Sequence, residues 1–466
     1  MGTGLMEAEA WAEAEFAGAE LGDRRRTKRL IRLAAGLAEC PNGTLPSAFR
    51  EWRDLKAAYR FLGNEAVTYE EVTKPHIEGT AEACRAPGEY LLIEDTTDLD
   101  FTGHPAMRGV GRIGNDGGLG LYLHSTLAAR VERWTDAQTP EVTLVGLFGQ
   151  RVWARADTVR CSQERKRDRL QRRRESERWA AAIDASPGPP PGARWTYVAD
   201  RESDVYEAFE RCRRRRTDFI VRASHPRALV EDDRSVFEAV AVAACLGRFQ
   251  LKLRARPGRA ARTAQLEVRS TTVRLRGPWR PDRRTEPIPV TVVEVREHDA
   301  PSGVTPLHWR LLTSWPGDPF DPALRVAKTY ARRWLVEEYH KALKSGAHIE
   351  ESQLTTAKEI KGLLGVLALV AVRLLNLKLL AANRPDEAVE PDALRSEAWA
   401  ILEATYGQPA DGWRHRGLLV AIARLGGFLA RRSDGLPGWI TIWRGWQRLT
   451  VMAQGAALLL RGQNCG

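Results

Sequence analysis

Apolar residues recur at helical spacing near the start of the chain, where Leu30, Leu33 and Leu37 share a segment with Arg24, Arg25, Arg26, Lys28, Arg29 and Arg32. Asp23 stands just before it as a helix cap by residue type. Residues 1 to about 68 read as helical, ending in Ala57-Ala58-Tyr59-Arg60-Phe61. From about residue 69 the pattern becomes that of strands, at 89–93, 120–129, 142–154 and 195–199, with a Pro/Gly breaker at 186–192. Alternation returns at 249–254, 264–275 and 288–295, as a β insertion spanning about 228–310. Helices resume from Pro322. The apolar run 362–372 is too short to cross a bilayer and is followed by Arg373 and Lys378, so it predicts a buried helix. Trp439, Trp443 and Trp446 form an i, i+4, i+7 stripe that packs a core or a dimer contact. The pattern predicts an α/β class, with helical regions at 1–68 and 366–466 flanking a strand-rich region at 69–365.

With 466 residues and 43% hydrophobic content the chain can bury a substantial core in more than one domain. Lys and Arg number 71 against 60 Asp and Glu, for a net charge of +11. That balance favours a polyanionic partner, although ordinary basic proteins share it. Arg25, Arg29 and Arg32 fall on one helical face, suited to DNA phosphates or simply to water. The runs 165–178 and 213–216 read as solvated basic surface or backbone contacts. Six cysteines, far apart at 40, 84, 161, 212, 245 and 465, form no zinc spacing and no disulfide framework, so a reducing cytoplasm is the expected compartment. No signal peptide is visible and no membrane is expected as a partner.

The candidate chemistry is acidic. Tyr90-Leu91-Leu92-Ile93-Glu94-Asp95-Thr96-Thr97 is an apolar strand running into a carboxylate, and Trp195-Thr196-Tyr197-Val198-Ala199-Asp200 repeats the pattern. Asp95 and Asp200 are the candidates, with Glu94, Glu202 and Asp204 as supporting or surface groups. A third acid sits in Tyr330-x2-Arg333-x3-Glu337-x6-Lys344. At about 100° per residue these four fall within about 60° of one another on a single helical stripe. Arg333 and Glu337 also suit an ordinary solvated i, i+4 pair. Taken together, two strand-end aspartates and a helical glutamate can hold two Mg²⁺ ions about 4 Å apart for phosphodiester chemistry.

Ile93-Glu94-Asp95-Thr96-Thr97, Ala199-Asp200-Arg201-Glu202, Val221-Arg222-Ala223-Ser224-His225-Pro226-Arg227 and the stretch 330–346 resemble the bacterial DDE transposases of the IS-four insertion-sequence family. The likeness begins at Trp11 and Leu21-Gly22-Asp23-Arg24-Arg25-Arg26, and it returns at 421–428. The resemblance implies an RNase H-like catalytic core with a β-strand insertion, between an N-terminal helical DNA-binding domain and a C-terminal helical dimerisation domain. It implies a triad of Asp95, Asp200 and Glu337 holding two Mg²⁺, with Mn²⁺ as a substitute. Tyr330, Arg333 and Lys344 would grip transposon-end phosphates, and Trp309, with Trp334 nearby, would stack on a flipped base. Arg222, Arg25, Arg26 and Arg29 are the further expected DNA contacts. The implied partners are double-stranded DNA, as inverted-repeat ends and target, and a second copy of the chain in a synaptic homodimer. The implied activity is cut-and-paste transposition through a hairpin intermediate. An RNase H-like nuclease without strand transfer, and a non-catalytic end-binding inhibitor, stand as alternatives. The stretches 117–120 and 165–192 depart from the family pattern.

Overall fold

The computed structural model describes residues 7–40, 44–49, 51–114, 117–155, 177–230, 233–253, 261–281, 283–431 and 434–463. Most of the basic run 165–178 and the cysteines at 161 and 465 lie outside the described residues. The strands are β1 (Gly88–Asp100), β2 (Gly111–Ile113), β3 (Gly118–Trp134), β4 (Pro140–Trp153), β5 (Ala193–Ala199), β6 (Asp218–Arg222), β7 (Cys245–Leu253), β8 (Arg262–Leu275), β9 (Ile288–His298) and β10 (His308–Thr313). Among the described residues they form one sheet in the order β2-β3-β1-β5-β6-β10-β9-β8-β7, with β4 also on β3. The three central strands β1, β5 and β6 are parallel and the remaining pairings antiparallel.

Parallel strands covered on both faces should be largely apolar, and the paired stretches Tyr90–Ile93 of β1 and Trp195–Val198 of β5 are. Alternate residues serve two cores. Leu91, Ile93, Val198, Ile220 and Leu311 join a large cluster that continues into the N- and C-terminal helices. Tyr90, Leu92, Trp195, Tyr197 and Phe219 join a smaller one beneath Glu177–Asp184 and Tyr206–Arg215. The predicted insertion strands do not form a layer of their own. Because β10 pairs with both β6 and β9, the ladder β10-β9-β8-β7 continues the central sheet and leaves no open edge at β6.

Tyr69–Ala83 is a helix, where the sequence pattern predicts the change to strands. Thr68 caps it through the Glu71 N–H. Pro75 lies inside and weakens its sequence signature, because it removes one backbone donor, yet the helix is held by packing against Ala357–Asn383 and β4. Ala357–Asn383, predicted as a buried helix, is 27 residues long and apolar enough by length and composition to cross a membrane, but 78% of its apolar window is buried inside the protein. It packs against Arg24–Glu39, Trp52–Leu62, Tyr69–Ala83 and His415–Leu425, so the terminal helices share one core with the sheet.

Trp439, Trp443 and Trp446 are all buried in that core on the final helix, Trp439–Gln463. Gly445 lets this helix touch the backbone of His415–Leu425, since a Cβ there would overlap the Ile422 carbonyl. Gly346 is the seat for Trp443, whose indole occupies the space a Cβ would need. Gly346→Ala is therefore expected to destabilise the protein by about 1–3 kcal/mol, the usual range for overpacking. Thermal unfolding checks this, and an unchanged Tm would mean that the indole can move aside.

Candidate active site

The parallel pairing of β1 with β5 runs as far as Ile93 opposite Val198. Two residues further along each strand stand Asp95 and Asp200, on the same face because side chains alternate with period two. The pairing of β5 with β6 ends with Ala199 opposite Val221, which sets Arg222 beside Asp200. Strands about 4.8 Å apart thus carry Asp95, Asp200 and Arg222 in a row across the sheet. Next in line, Leu311 of β10 pairs with Arg222, and Trp309 lies two residues away on that face. The Arg222 guanidinium donates to the His308 carbonyl at 3.2 Å.

Asp95 and Asp200 are not equivalent. The sequence pattern predicts strand ends for both, but β1 continues to Asp100 because β3 goes on pairing with it, from Asp95 opposite Ser125 to Asp100 opposite Gly120. Asp95 is therefore a mid-strand residue at the point where β5 peels away. Asp200 does end its strand, and its carboxylate accepts the Glu202 N–H at 2.8 Å to cap a short 3-10 turn. The Asp95 carboxylate likewise accepts the Thr96 N–H at 2.8 Å.

Glu337 arrives from Trp334–Lys341. A single regular helix from Tyr330 to Lys344 is predicted, and the structure differs. The segment runs as the helix Phe320–Tyr330, a 3-10 turn at Ala331–Arg333, Trp334–Lys341, and a π turn at Ala342–Gly346 that ends under Trp443. Those changes in pitch give the four residues separate settings. Tyr330 is buried with its ring tilted against Trp309, centroids 6.2 Å apart. Arg333 lies over the Tyr330 ring, pairs with Glu337, and reaches Asp95 at 3.4 Å. Lys344 donates to the Asp98 carbonyl at 3.0 Å and pairs with Glu350 at 3.0 Å.

A buried polar network behind the acids sets the roll of this helix. Gln150 donates to Ser125 at 2.7 Å and to the Tyr339 hydroxyl at 2.9 Å, and accepts from Tyr69 at 2.7 Å. His340 meets Ser125 at 3.1 Å, and burial lowers its pKa to about 3, so it is neutral. Ser125 is the residue paired with Asp95, so the network reaches the acid's own rung of the sheet. Nothing in the linear sequence marks Gln150 or Ser125, because their significance is purely spatial.

Burial, then the nearby Asp200 charge, pushes Asp95 up to about 7, with Glu337 adding to the rise and Arg333 opposing it. Burial works against the charged Arg333, but Tyr330, Glu337 and Asp95 outweigh it and hold the guanidinium above its ordinary pKa. Burial raises Tyr330 as well. Among the described residues no three His, Cys, Asp or Glu side chains are gathered as a ready metal cage. Asp95 and Glu337 are instead bridged through Arg333. The donor set still fits a hard divalent cation. All three acids offer oxygen, and an added positive charge would relieve the crowding that raises Asp95.

A cleft of about 770 Å³ opens onto Asp95 and Glu337, with Lys341, Lys344, Trp443 and Arg444 among its other lining residues. Asp200 is not part of that lining. The C-terminal helix thus supplies one wall, which the sequence does not reveal. Of the predicted aromatics, Trp309 is half-buried and Trp334 is exposed, with the Lys341 ammonium 4.1 Å from its ring centre.

The predicted basic face of Arg24–Glu39 is redistributed. Arg26 donates to the Leu21 carbonyl at 2.7 Å and Arg29 pairs with Asp54 at 3.2 Å, both holding the helix to its neighbours. Arg25 remains exposed beside Asp23, and Arg24, Lys28 and Arg32 complete the exposed basic surface. Arg214 and Arg215 are tied to Asp184, and so are not free surface charges.

Two families match the chain. Residues 8–67 match the family described as Transposase DNA-binding, and residues 193–373 match the one described as Transposase DDE domain. Together these spans cover just over half the chain. The chain carries a transposase DNA-binding domain and a transposase DDE domain. It is accordingly an enzyme of metal-dependent DNA cleavage and transposition, with DNA as its partner. In this transposase the DDE match contains Asp200 and Glu337, whereas Asp95 lies before it on the paired strand β1. The DNA-binding match takes in the exposed Arg24, Arg25, Lys28 and Arg32.

Proposed function

We propose that this transposase is a cut-and-paste enzyme of the IS-four type whose triad is Asp95, Asp200 and Glu337. The observation that carries the reading is their convergence: two aspartates side by side on parallel strands, with Glu337 joined to Asp95 through Arg333. An RNase H-like core is supported by the strand order β4-β3-β1-β5-β6, with the acids at its centre. Residues 1–68 would bind transposon ends, 69–365 would carry the chemistry with a β insertion at about 228–310, and 366–466 would serve dimerisation.

The three carboxylates would hold two Mg²⁺ ions, for which Mn²⁺ could substitute. Such ions supply Lewis-acid activation of the attacking oxygen and charge stabilisation of the leaving one. The chain's own groups do the positioning. Arg333 and Lys344 bind phosphate oxygens as charged donors once released from their carboxylate partners. Arg222 adds a cation beside Asp200. Cleavage proceeds through four in-line phosphoryl transfers: nicking, hairpin closure by the freed 3′ hydroxyl, hairpin opening by water, and attack of that hydroxyl on target DNA.

Trp309 faces the same side as the acids and would stack on a base extruded at the hairpin, with Trp334 as a second aromatic surface. Stacking of this kind contributes about 1–3 kcal/mol per base. Trp309→Ala is thus expected to slow hairpin formation about ten-fold or more while first-strand nicking persists. Fluorescence of 2-aminopurine placed at the end reads out the extrusion. Equal hairpin rates in both proteins would remove the stacking role.

A synaptic homodimer fits the exposed side of Trp439–Gln463, where Val451, Met452, Leu458 and Leu459 stand uncovered while the tryptophans are used in the core. The working compartment is the bacterial cytoplasm, on nucleoid DNA. The deciding experiment incubates the protein and Mg²⁺ with a plasmid bearing the inverted repeats that flank its gene. Hairpin ends that form, reopen and are then joined to target through their 3′ hydroxyls support the reading, and ends that are hydrolysed but never joined favour a nuclease.

A further inference from the structure

Arg178 occupies an unusual position relative to the two aspartates. Its Nε donates to the Thr96 hydroxyl at 3.1 Å, and its Nη2 forms an ion pair with Glu202. Thr96 and Glu202 are the residues whose backbone N–H groups, each at 2.8 Å, hold the carboxylates of Asp95 and Asp200. One guanidinium therefore grips by the side chain both residues that grip the acids by the backbone. The bridge has a firm foundation. The neighbouring Trp179 is fully buried, edge-on to His124 with centroids 4.6 Å apart, and His124 Nδ1 lies 3.0 Å from the same Thr96 hydroxyl. Since that hydroxyl accepts from Arg178, its own proton is directed at His124.

We propose that Arg178 is a positioning residue that fixes the spacing of Asp95 and Asp200, acting on the far side of the sheet from the DNA. The assignment rests on the reading that these two acids hold a divalent ion. Thr96 and His124 belong to β1 and β3, which remain paired through this region, so the Asp95 side is anchored by the sheet. Asp200 heads a short turn where β5 has lost β1 as a partner. Arg178 replaces the missing rungs by linking that turn to the strand beside it. A rigid planar fork suits this task because its Nε and Nη2 donors are held at a fixed spacing, whereas a lysine offers a single point charge on a flexible stem.

Mn²⁺ binding to the full chain, followed by the electron spin resonance of free Mn²⁺, tests the idea without relying on turnover. Arg178→Ala is expected to weaken Mn²⁺ binding about ten-fold, with end-DNA binding by gel shift unchanged, and raising the metal concentration should recover cleavage. Arg178→Lys should fall between. Thr96→Val keeps the backbone N–H but removes the hydroxyl, so it should reproduce the metal defect, and Thr96→Val combined with Arg178→Ala should be no worse than either alone. Wild-type affinity in folded Arg178→Ala, or fully additive defects in the double variant, would overturn the proposal. If Arg178→Ala fails to fold, Thr96→Val and Glu202→Gln provide the same readout from the two ends, and wild-type affinity in both overturns it. The parent reading fails separately, when wild-type protein binds no Mn²⁺ and Glu337→Gln changes nothing.

Discussion

Glu337→Gln is expected to bind transposon-end DNA as tightly as the wild type while losing cleavage by about 10³-fold or more. Stabilisation of charge by bound divalent ions amounts to several kcal/mol of transition-state energy, and the amide removes the negative donor on which that depends. The fold should survive. Glu337 is partly exposed, and its recorded partner is Arg333, which keeps Asp95 in reach. Gel shift and single-turnover nicking in Mg²⁺ separate the two effects. Nicking at the wild-type rate would remove Glu337 from the triad, whereas loss of DNA binding together with nicking would point to a structural role.

Asp95→Asn should show the opposite balance between stability and activity. The folded-state pKa of Asp95 is raised to about 7 by burial and by Asp200, against an unfolded value of about 3.9. Between those values the native state keeps a proton that the unfolded chain has released. The stability tied to that proton is fully present below about pH 4 and is lost as pH rises through about 7. A shift of about three units sets an upper bound of roughly 4 kcal/mol. In metal-free buffer Asp95→Asn should match the wild type near pH 3.5 and exceed it by a few kcal/mol at pH 8, while being inactive in cleavage. Denaturant titrations at the two pH values check this. Glu94, pushed up to about 8 mainly by burial, titrates in a similar range but is common to both proteins and cancels from the comparison. Added Mg²⁺ should stabilise the wild type at pH 8 and leave the variant little changed. An equal difference at both pH values would show that the Asp95 charge is not under strain.

The acids were legible because burial and chemistry coincide in them. An apolar run passes into carboxylates where β1 and β5 part, and that contrast survives in the linear text at Ile93 to Asp95 and Val198 to Asp200. The order of the strands was less legible, since β6 and β10 are short and their pairing joins residues nearly a hundred positions apart. The shape of the signature segment was not legible. A helical wheel assumes constant pitch, whereas the turns at Ala331–Arg333 and Ala342–Gly346 are set by contacts with β1 and Trp443. Arg26 and Arg29 illustrate the same limit, because residue type cannot tell a phosphate-binding arginine from one already satisfied by Leu21 or Asp54. Thr96 and Glu202 stood in plain view beside the aspartates, and only their shared contact with Arg178 explains them.

The cleft draws on residues near positions 95, 337 and 444, the last on the helix Trp439–Gln463. The helices at 8–67 are made before the sheet, and the pocket cannot be walled until Trp439–Gln463 has been made. Since the helices at 8–67 bury their apolar face against Ala357–Asn383, a fragment ending after the first domain would expose that face to water.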